Sequence, residues 1–139
     1  VVGAHDGDTI SVVIMQESKA ARFNVRLDGI DTPEMTSADS NVKDLAIAAR
    51  NRLISLLTRG HVTLPVHAPE GKKLTRTDIN TKLCERVHIV FLECRGMDKY
   101  GRVLGVIYLD ESPSSKSANQ IMLDEGLAKP YSGGTKDMW

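Results

Sequence analysis

Arg22-Phe23-Asn24-Val25-Arg26-Leu27-Asp28-Gly29-Ile30-Asp31-Thr32-Pro33-Glu34 changes character in its middle, and that change organises the rest of the chain. Phe23, Val25 and Leu27 alternate with Arg22, Asn24, Arg26 and Asp28, the period-two pattern of a half-buried strand. Arg26 is expected on the polar face. Asp28-Gly29 marks a bulge or bend, and Pro33, lacking an N–H to donate, ends regular pairing. Asp31 to Glu34 therefore reads as a loop just past a strand.

Working outward, Asp6-Gly7 is a tight-turn dipeptide, and Thr9 to Ile14 is rich in β-branched residues, so a hairpin precedes this strand, with a polar turn from Gln16 to Ala21. Downstream, Val42, Leu45, Ala46, Ala49, Leu53, Leu56 and Leu57 recur at helical spacing; Ser40 or Asn41 is the expected cap and Gly60 the stop. His61 to Val66 reads as a short strand. The stretch of about 67–84 is polar and carries Lys72, Lys73, Arg76 and Lys82, so a loop insertion is expected there. Arg86 to Glu93 alternates again and connects through Asp98-Lys99-Tyr100-Gly101 to a strand over Arg102 to Leu109. Ala118, Ile121 and Met122 fit a short helix ended by Gly126. The order β-β-β-α-β-β-α suits an α+β, mainly β domain: a five-stranded OB-type barrel with a helix plugging one end. Its aliphatic core is expected from Val12, Ile14, Val25, Leu27, Leu53, Leu56, Ile89, Val103 and Ile107.

At 139 residues the chain is expected to form a single domain, 1–139. No apolar run approaches the roughly 20 residues of a membrane helix, so no span is expected. Lys+Arg and Asp+Glu both total 18, which excludes the strongly basic body of a bulk nucleic-acid coat protein. Polyanion affinity must come from local placement. The two cysteines, Cys84 and Cys94, lack zinc-ribbon spacing and are expected reduced and packed. The chain opens inside an apolar stretch, so a targeting peptide is expected to be absent or already removed; localisation is not readable from the chain, and the second case leaves secretion open. The histidines show no metal-site spacing, and His5 reads as structural.

Acidic residues gather at the turns: Asp6 and Asp8 in the first hairpin, Asp31 and Glu34 in the loop. Taken singly, these dipeptides are also plain turn chemistry. Carboxylates that converge need a cation or a raised pKa, and a hard, oxygen-ligated ion suits them: calcium with flexible coordination, or magnesium with its retained waters. Arg26, entering the loop, and Arg102, following Lys99 and Tyr100, offer guanidinium forks that match phosphate oxygens. One metal, one carboxylate base and two guanidiniums make a kit for phosphoryl hydrolysis.

Four motifs in order, Asp6-Gly7-Asp8-Thr9, Val25 to Glu34, Asp98-Lys99-Tyr100-Gly101-Arg102, and Asn119 through Gly126-Leu127-Ala128-Lys129, resemble the staphylococcal nuclease family across nearly the whole chain. The resemblance implies a calcium-dependent, sugar-non-specific endonuclease that cuts DNA and RNA, preferably single-stranded, and leaves 3′-phosphate ends. It implies that Asp8 and Asp31 ligate Ca2+ with the Thr32 carbonyl, that Glu34 is the general base, and that Arg26 and Arg102 stabilise the phosphorus centre. Lys99 and Tyr100 would contact a terminal phosphate. Tyr131 would line the base pocket, although Pro130 directly follows Lys129 and the family's spacing is not kept. Mg2+ is the less favoured metal, and a monomer with no protein partner is expected. The alternative is a catalytically silent OB-type module that binds single-stranded nucleic acid or a protein.

Overall fold

The computed structural model describes residues 1–65, 74–112 and 115–132. Strand β1 (Gly3–Ala4) turns back into β2 (Thr9–Gln16), which pairs antiparallel with β3 (Lys19–Leu27) over its whole length. The hairpin tip is shorter than the expected Gln16 to Ala21 turn. Glu17 and Ser18, both at positive φ (47° and 69°), make a two-residue connection whose twist matches the strands, so pairing runs out to Gln16 and Lys19.

Past Gly29, at φ 80°, the short strand β4 (Ile30–Asp31) leads to helix α1 (Ser40–Leu57). Asp39, one residue ahead of the expected caps, accepts from the Asn41 N–H at 2.8 Å. Ala46, Ala49, Leu53, Ile54, Leu56 and Leu57 are buried along its inner face, whereas Leu45 stays exposed. Arg59 and Gly60, at φ 53° and 80°, stop the helix as expected.

The expected strand at His61 to Val66 does not form over 61–65, and Val66 lies outside the described residues. Pro65 has no N–H, and the Leu64 and Pro65 carbonyls are taken by Asn51 Nδ2 of α1 at 3.2 and 3.1 Å, so this backbone is satisfied by a helix side chain rather than by a strand. The expected loop over 67–84 lies partly outside the described residues, and its second half is helix α2 (Arg76–Cys84). Thr75 and Asp78 form a reciprocal capping box, and Ile79 and Leu83, one turn apart, are fully buried.

Strand β5 (Phe91–Met97) begins later than the expected Arg86, and Ile89 is 62% exposed rather than in the core. Ile14 is only partly buried. Strand β6 (Val103–Tyr108) buries Val103, Gly105 and Ile107 alternately, and is followed by α3 (Ala118–Asp124), capped by Ser117, and β7 (Lys129–Pro130). Both cysteines are free but exposed, not packed.

The main sheet runs β1-β2-β3-β6-β5, and β4 pairs with β7. Its two ends are drawn together where the Val1 nitrogen donates to the His88 carbonyl at 2.9 Å. This is the expected α+β architecture with a five-stranded sheet. β3 and β6 are parallel, with Arg26 opposite Leu104. Because side chains alternate along a strand, Arg102, two residues before Leu104, is directed to the same face as Arg26.

Asn119 on α3 locks this junction. It accepts from the Ile107 N–H at 3.1 Å and donates to the carbonyls of Asp28 at 2.8 Å and Gly105 at 3.1 Å. Gly7 is required by close packing rather than by a left-handed turn: an added Cβ would lie 2.8 Å from the Ala49 Cβ and 2.9 Å from the Thr32 Cγ2. Gly7→Ala is expected to destabilise the fold by about 1–3 kcal/mol, and Asn119→Ala by about 2–3 kcal/mol because buried backbone groups lose their partner. Urea unfolding of each variant beside wild type measures both losses.

Candidate functional site

Arg26 belongs to the polar series of β3, yet it is only 7% exposed. One guanidinium nitrogen donates to the carbonyls of Leu27 at 3.1 Å and Ile30 at 2.9 Å, which tightens the bend after β3. The same guanidinium faces two buried carboxylates, Asp8 at 3.4 Å and Asp31 at 3.5 Å. The polar face of this strand is therefore the inside of a site.

Asp8 reaches Arg26 because Thr9 lies opposite Arg26 in the β2–β3 register and the Leu27 N–H donates to the Asp8 carbonyl at 2.7 Å. Its Oδ2 accepts from the Thr32 N–H at 3.2 Å and the Thr32 hydroxyl at 3.1 Å, and its Oδ1 accepts from the Thr9 hydroxyl at 3.1 Å. Burial alone would raise its pKa. Hydrogen bonding with Asp6, the Arg26 charge and the Thr32 and Thr9 donors outweigh burial and hold Asp8 below the ordinary carboxylate value. Asp6 behaves oppositely: burial first, then the hydrogen bond and charge of Asp8, push it up to about 7. Asp6 therefore takes up a proton as pH falls through about 7, well before Asp8 does.

Asp8 and Asp31, two buried oxygen donors converging on one guanidinium, have the chemistry that suits a hard divalent cation completed by carbonyls and water. Among the described residues no third His, Cys, Asp or Glu joins them in a metal-binding group. What the structure records of Thr32 is its N–H and hydroxyl, both donated to Asp8.

A cleft of about 500 Å³ opens beside this cluster, lined by Arg26, Asp28, Lys99, Tyr100, Arg102 and Tyr131 together with Leu104 and residues next to these in the chain. The turn that supplies three of these residues is built on Asp98. Its Oδ1 accepts from the Tyr100 and Arg102 N–H groups, both at 2.9 Å, and its Oδ2 pairs with the Arg102 Nε at 2.6 Å. These donors outweigh its modest burial and hold the Asp98 pKa below its ordinary value. Tyr100 is 72% exposed, with the Lys99 ammonium 5.2 Å and the Arg102 guanidinium 5.3 Å from its ring centre.

Tyr131 is brought to the cleft by the β4–β7 pairing and by its N–H, which donates to the Gly29 carbonyl at 2.9 Å; Arg26 stands 5.7 Å from its ring centre. The altered spacing after Lys129 therefore still delivers a tyrosine here. Glu34 is exposed on the loop past β4 and is not among the cleft-lining residues, but its charge, like those of Asp8 and Arg102, acts on the His5 ring. His5, read from the sequence as structural, sits in this field. Burial, then the charge of Arg76, leads the causes that lower its pKa.

Sequence reasoning named Asp8, Arg26, Asp31, Thr32, Lys99, Tyr100, Arg102 and Tyr131; the first four lie together in the structure and the last four line one cleft. It missed the roles of Asp98 and Arg76. For Asp98 the signal was present: an acidic residue four before an arginine, with Gly101 between them at φ 82°.

An α+β domain of OB type, with buried carboxylates bridged by arginine beside a cation-rich cleft, is the class that fold and site define. The family model described as staphylococcal nuclease homologue matches residues 24–137, and the chain belongs to that family. That family is generally nucleolytic, and membership supports a nuclease or an OB-type nucleic-acid-binding module. No curated protein matches the chain closely enough to add a relative. No helix of the described residues is long and apolar enough to cross a membrane.

Because its native pKa is depressed, the ionised Asp98 contributes stability above its ordinary pKa of 3.8 and loses it as pH falls through the lower native value. The stability difference between wild type and Asp98→Asn, followed by urea unfolding, is expected to be full at neutral pH and to close below that ordinary value.

Proposed function

We propose that this domain is a calcium-dependent endonuclease that hydrolyses phosphodiester bonds of DNA and RNA and leaves 3′-phosphate ends. The observation that carries the proposal is Arg26, buried, held by two carboxylates and open to the cleft that also presents Arg102. A lone buried guanidinium would be costly; here its pairing fixes the fork in place before substrate arrives.

Asp8 and Asp31, with the Thr32 carbonyl, would hold Ca2+, which when bound supplies positive charge to polarise the phosphodiester. Glu34 accepts a proton from the attacking water. The oxygen of that water bonds to phosphorus, the bond to the 5′ oxygen breaks, and that oxygen takes a proton from solvent, leaving the phosphate on the 3′ side and a 5′-hydroxyl. Arg26 and Arg102 donate to the phosphorus oxygens as charge accumulates on them. Lys99 and Tyr100 hold the adjacent phosphate, and Tyr131 packs against the base. Single strands are the preferred substrate because an unpaired base is free to enter the cleft, and the domain acts as a monomer.

A second reading has one observation in its favour. Tyr100 is largely exposed between two cations, an arrangement that also suits stacking by a silent single-strand-binding module.

Cleavage of a fluorescent single-stranded DNA and its RNA counterpart, with calcium, magnesium or chelator, separates the two. Calcium-dependent cutting, abolished by chelator and by Asp31→Ala, is expected. Glu34→Gln is expected to lower kcat by roughly 10²–10⁴ with much less change in calcium affinity, and wild-type turnover in that variant removes Glu34 as the base. Arg26→Lys is expected to be poorly active, because an ammonium supplies no bidentate fork. Salt-sensitive binding without cutting in either metal favours the silent module.

A further inference from the structure

The cleft contains one side chain whose chemistry opposes that of its neighbours. Arg26, Lys99 and Arg102 make it a place for phosphate, yet an acidic residue, Asp28, is also among those that line it. Asp98 lines it too, but its oxygens are occupied by Tyr100 and Arg102. Among the described residues, no hydrogen bond or ion pair engages the Asp28 carboxylate, which is half-buried.

Both of its backbone polar groups are paired. The Asp28 N–H donates to the Gly105 carbonyl at 2.8 Å, and its carbonyl accepts from the Asn119 amide at 2.8 Å. The next residue, Gly29, accepts from the Tyr131 N–H at 2.9 Å. β6 and α3 thus fix the backbone of Asp28, and the residue after β7 fixes that of its neighbour Gly29, at the Tyr131 end of the cleft. A carboxylate placed there repels phosphate and, when ionised, only accepts hydrogen bonds. The partner it suits is a neutral group that presents N–H donors.

We propose that Asp28 reads the base of the nucleotide in the cleft, favouring guanine and disfavouring thymine and uracil. Guanine offers N1–H and the N2 amino group side by side, a fork that two carboxylate oxygens can accept together. Cytosine and adenine each offer one amino group beside a ring nitrogen lone pair. Thymine and uracil offer a single N–H flanked by two carbonyl oxygens, whose lone pairs face the carboxylate. The inference rests on the reading of the cleft as a nucleotide site, but it concerns recognition and not cleavage.

The test is calorimetric binding of dGMP, dCMP, dAMP and dTMP to the wild-type protein with calcium present, with far-UV circular dichroism to confirm that each variant is folded. Wild type is expected to bind dGMP about tenfold or more tightly than dTMP, with the other two between, as befits hydrogen bonds to a charged group. Asp28→Asn, which offers one donor and one acceptor, matches thymine and is expected to shrink the gap to within about threefold. Asp28→Leu is expected to lose the preference for dGMP while still binding dTMP. Equal binding of all four by wild type, binding of none, or a dGMP preference that survives both substitutions overturns the proposal. Cutting of oligonucleotides without any nucleotide preference overturns it while leaving the nuclease reading standing. Selective dGMP binding by a protein that cuts nothing does the reverse.

Discussion

The Arg26 guanidinium, held between the Asp8 and Asp31 carboxylates, is the interaction on which the site depends. It joins three pieces of chain: the first hairpin, the end of β3 and the start of the loop that carries Glu34. Its other donors go to the Leu27 and Ile30 carbonyls, so the same group that balances the carboxylates also sets the bend between them. Two buried like charges without a cation would drive one another to protonate. Here Asp6, Arg26, Thr32 and Thr9 hold the Asp8 pKa down, and it is Asp6 whose pKa is pushed up.

Around that centre the scaffold works by close approach. Gly7 lets the hairpin turn lie against Ala49 of α1 and against Thr32, which is the contact that presses Asp8 towards the loop. Gly105 does the same in the sheet, where a side chain would strike Leu92 and Val25. Asn119 then ties α3 to β6 and to the Asp28 bend with three hydrogen bonds, so the cleft floor and the helix behind it form one unit. A polar residue buried this way serves as a register pin, since any slip of β6 against β3 would leave backbone groups unpaired.

The cleft differs from the carboxylate cluster in exposure. Arg102 is positioned by Asp98 in a charged turn, with Tyr100 mostly in solvent, whereas Arg26 is enclosed. The two arginines are nevertheless brought to one face by the parallel β3–β6 pairing. An enclosed guanidinium on one side and a more exposed one on the other leave the cleft open to an anionic group from solvent.

The sequence by itself determined the α+β class, the alternation of β3, a strand at the place of β6, helices α1 and α3, and the grouping of acidic turns with two arginines. These signals are local: period-two alternation, helical spacing, cap residues and turn dipeptides. Helix α2 was hidden because its only apolar residues over one turn are Ile79 and Leu83 amid charge, although the Thr75–Asp78 capping box marked its start. Only the tertiary structure decided that Arg26 is buried, that Ile89 is exposed, that Asn51 replaces a strand at Leu64 and Pro65, and that Tyr131 reaches the cleft. Each of these depends on which face of one element meets another far along the chain. Pairing register and close packing settle that, and neither is written in local periodicity.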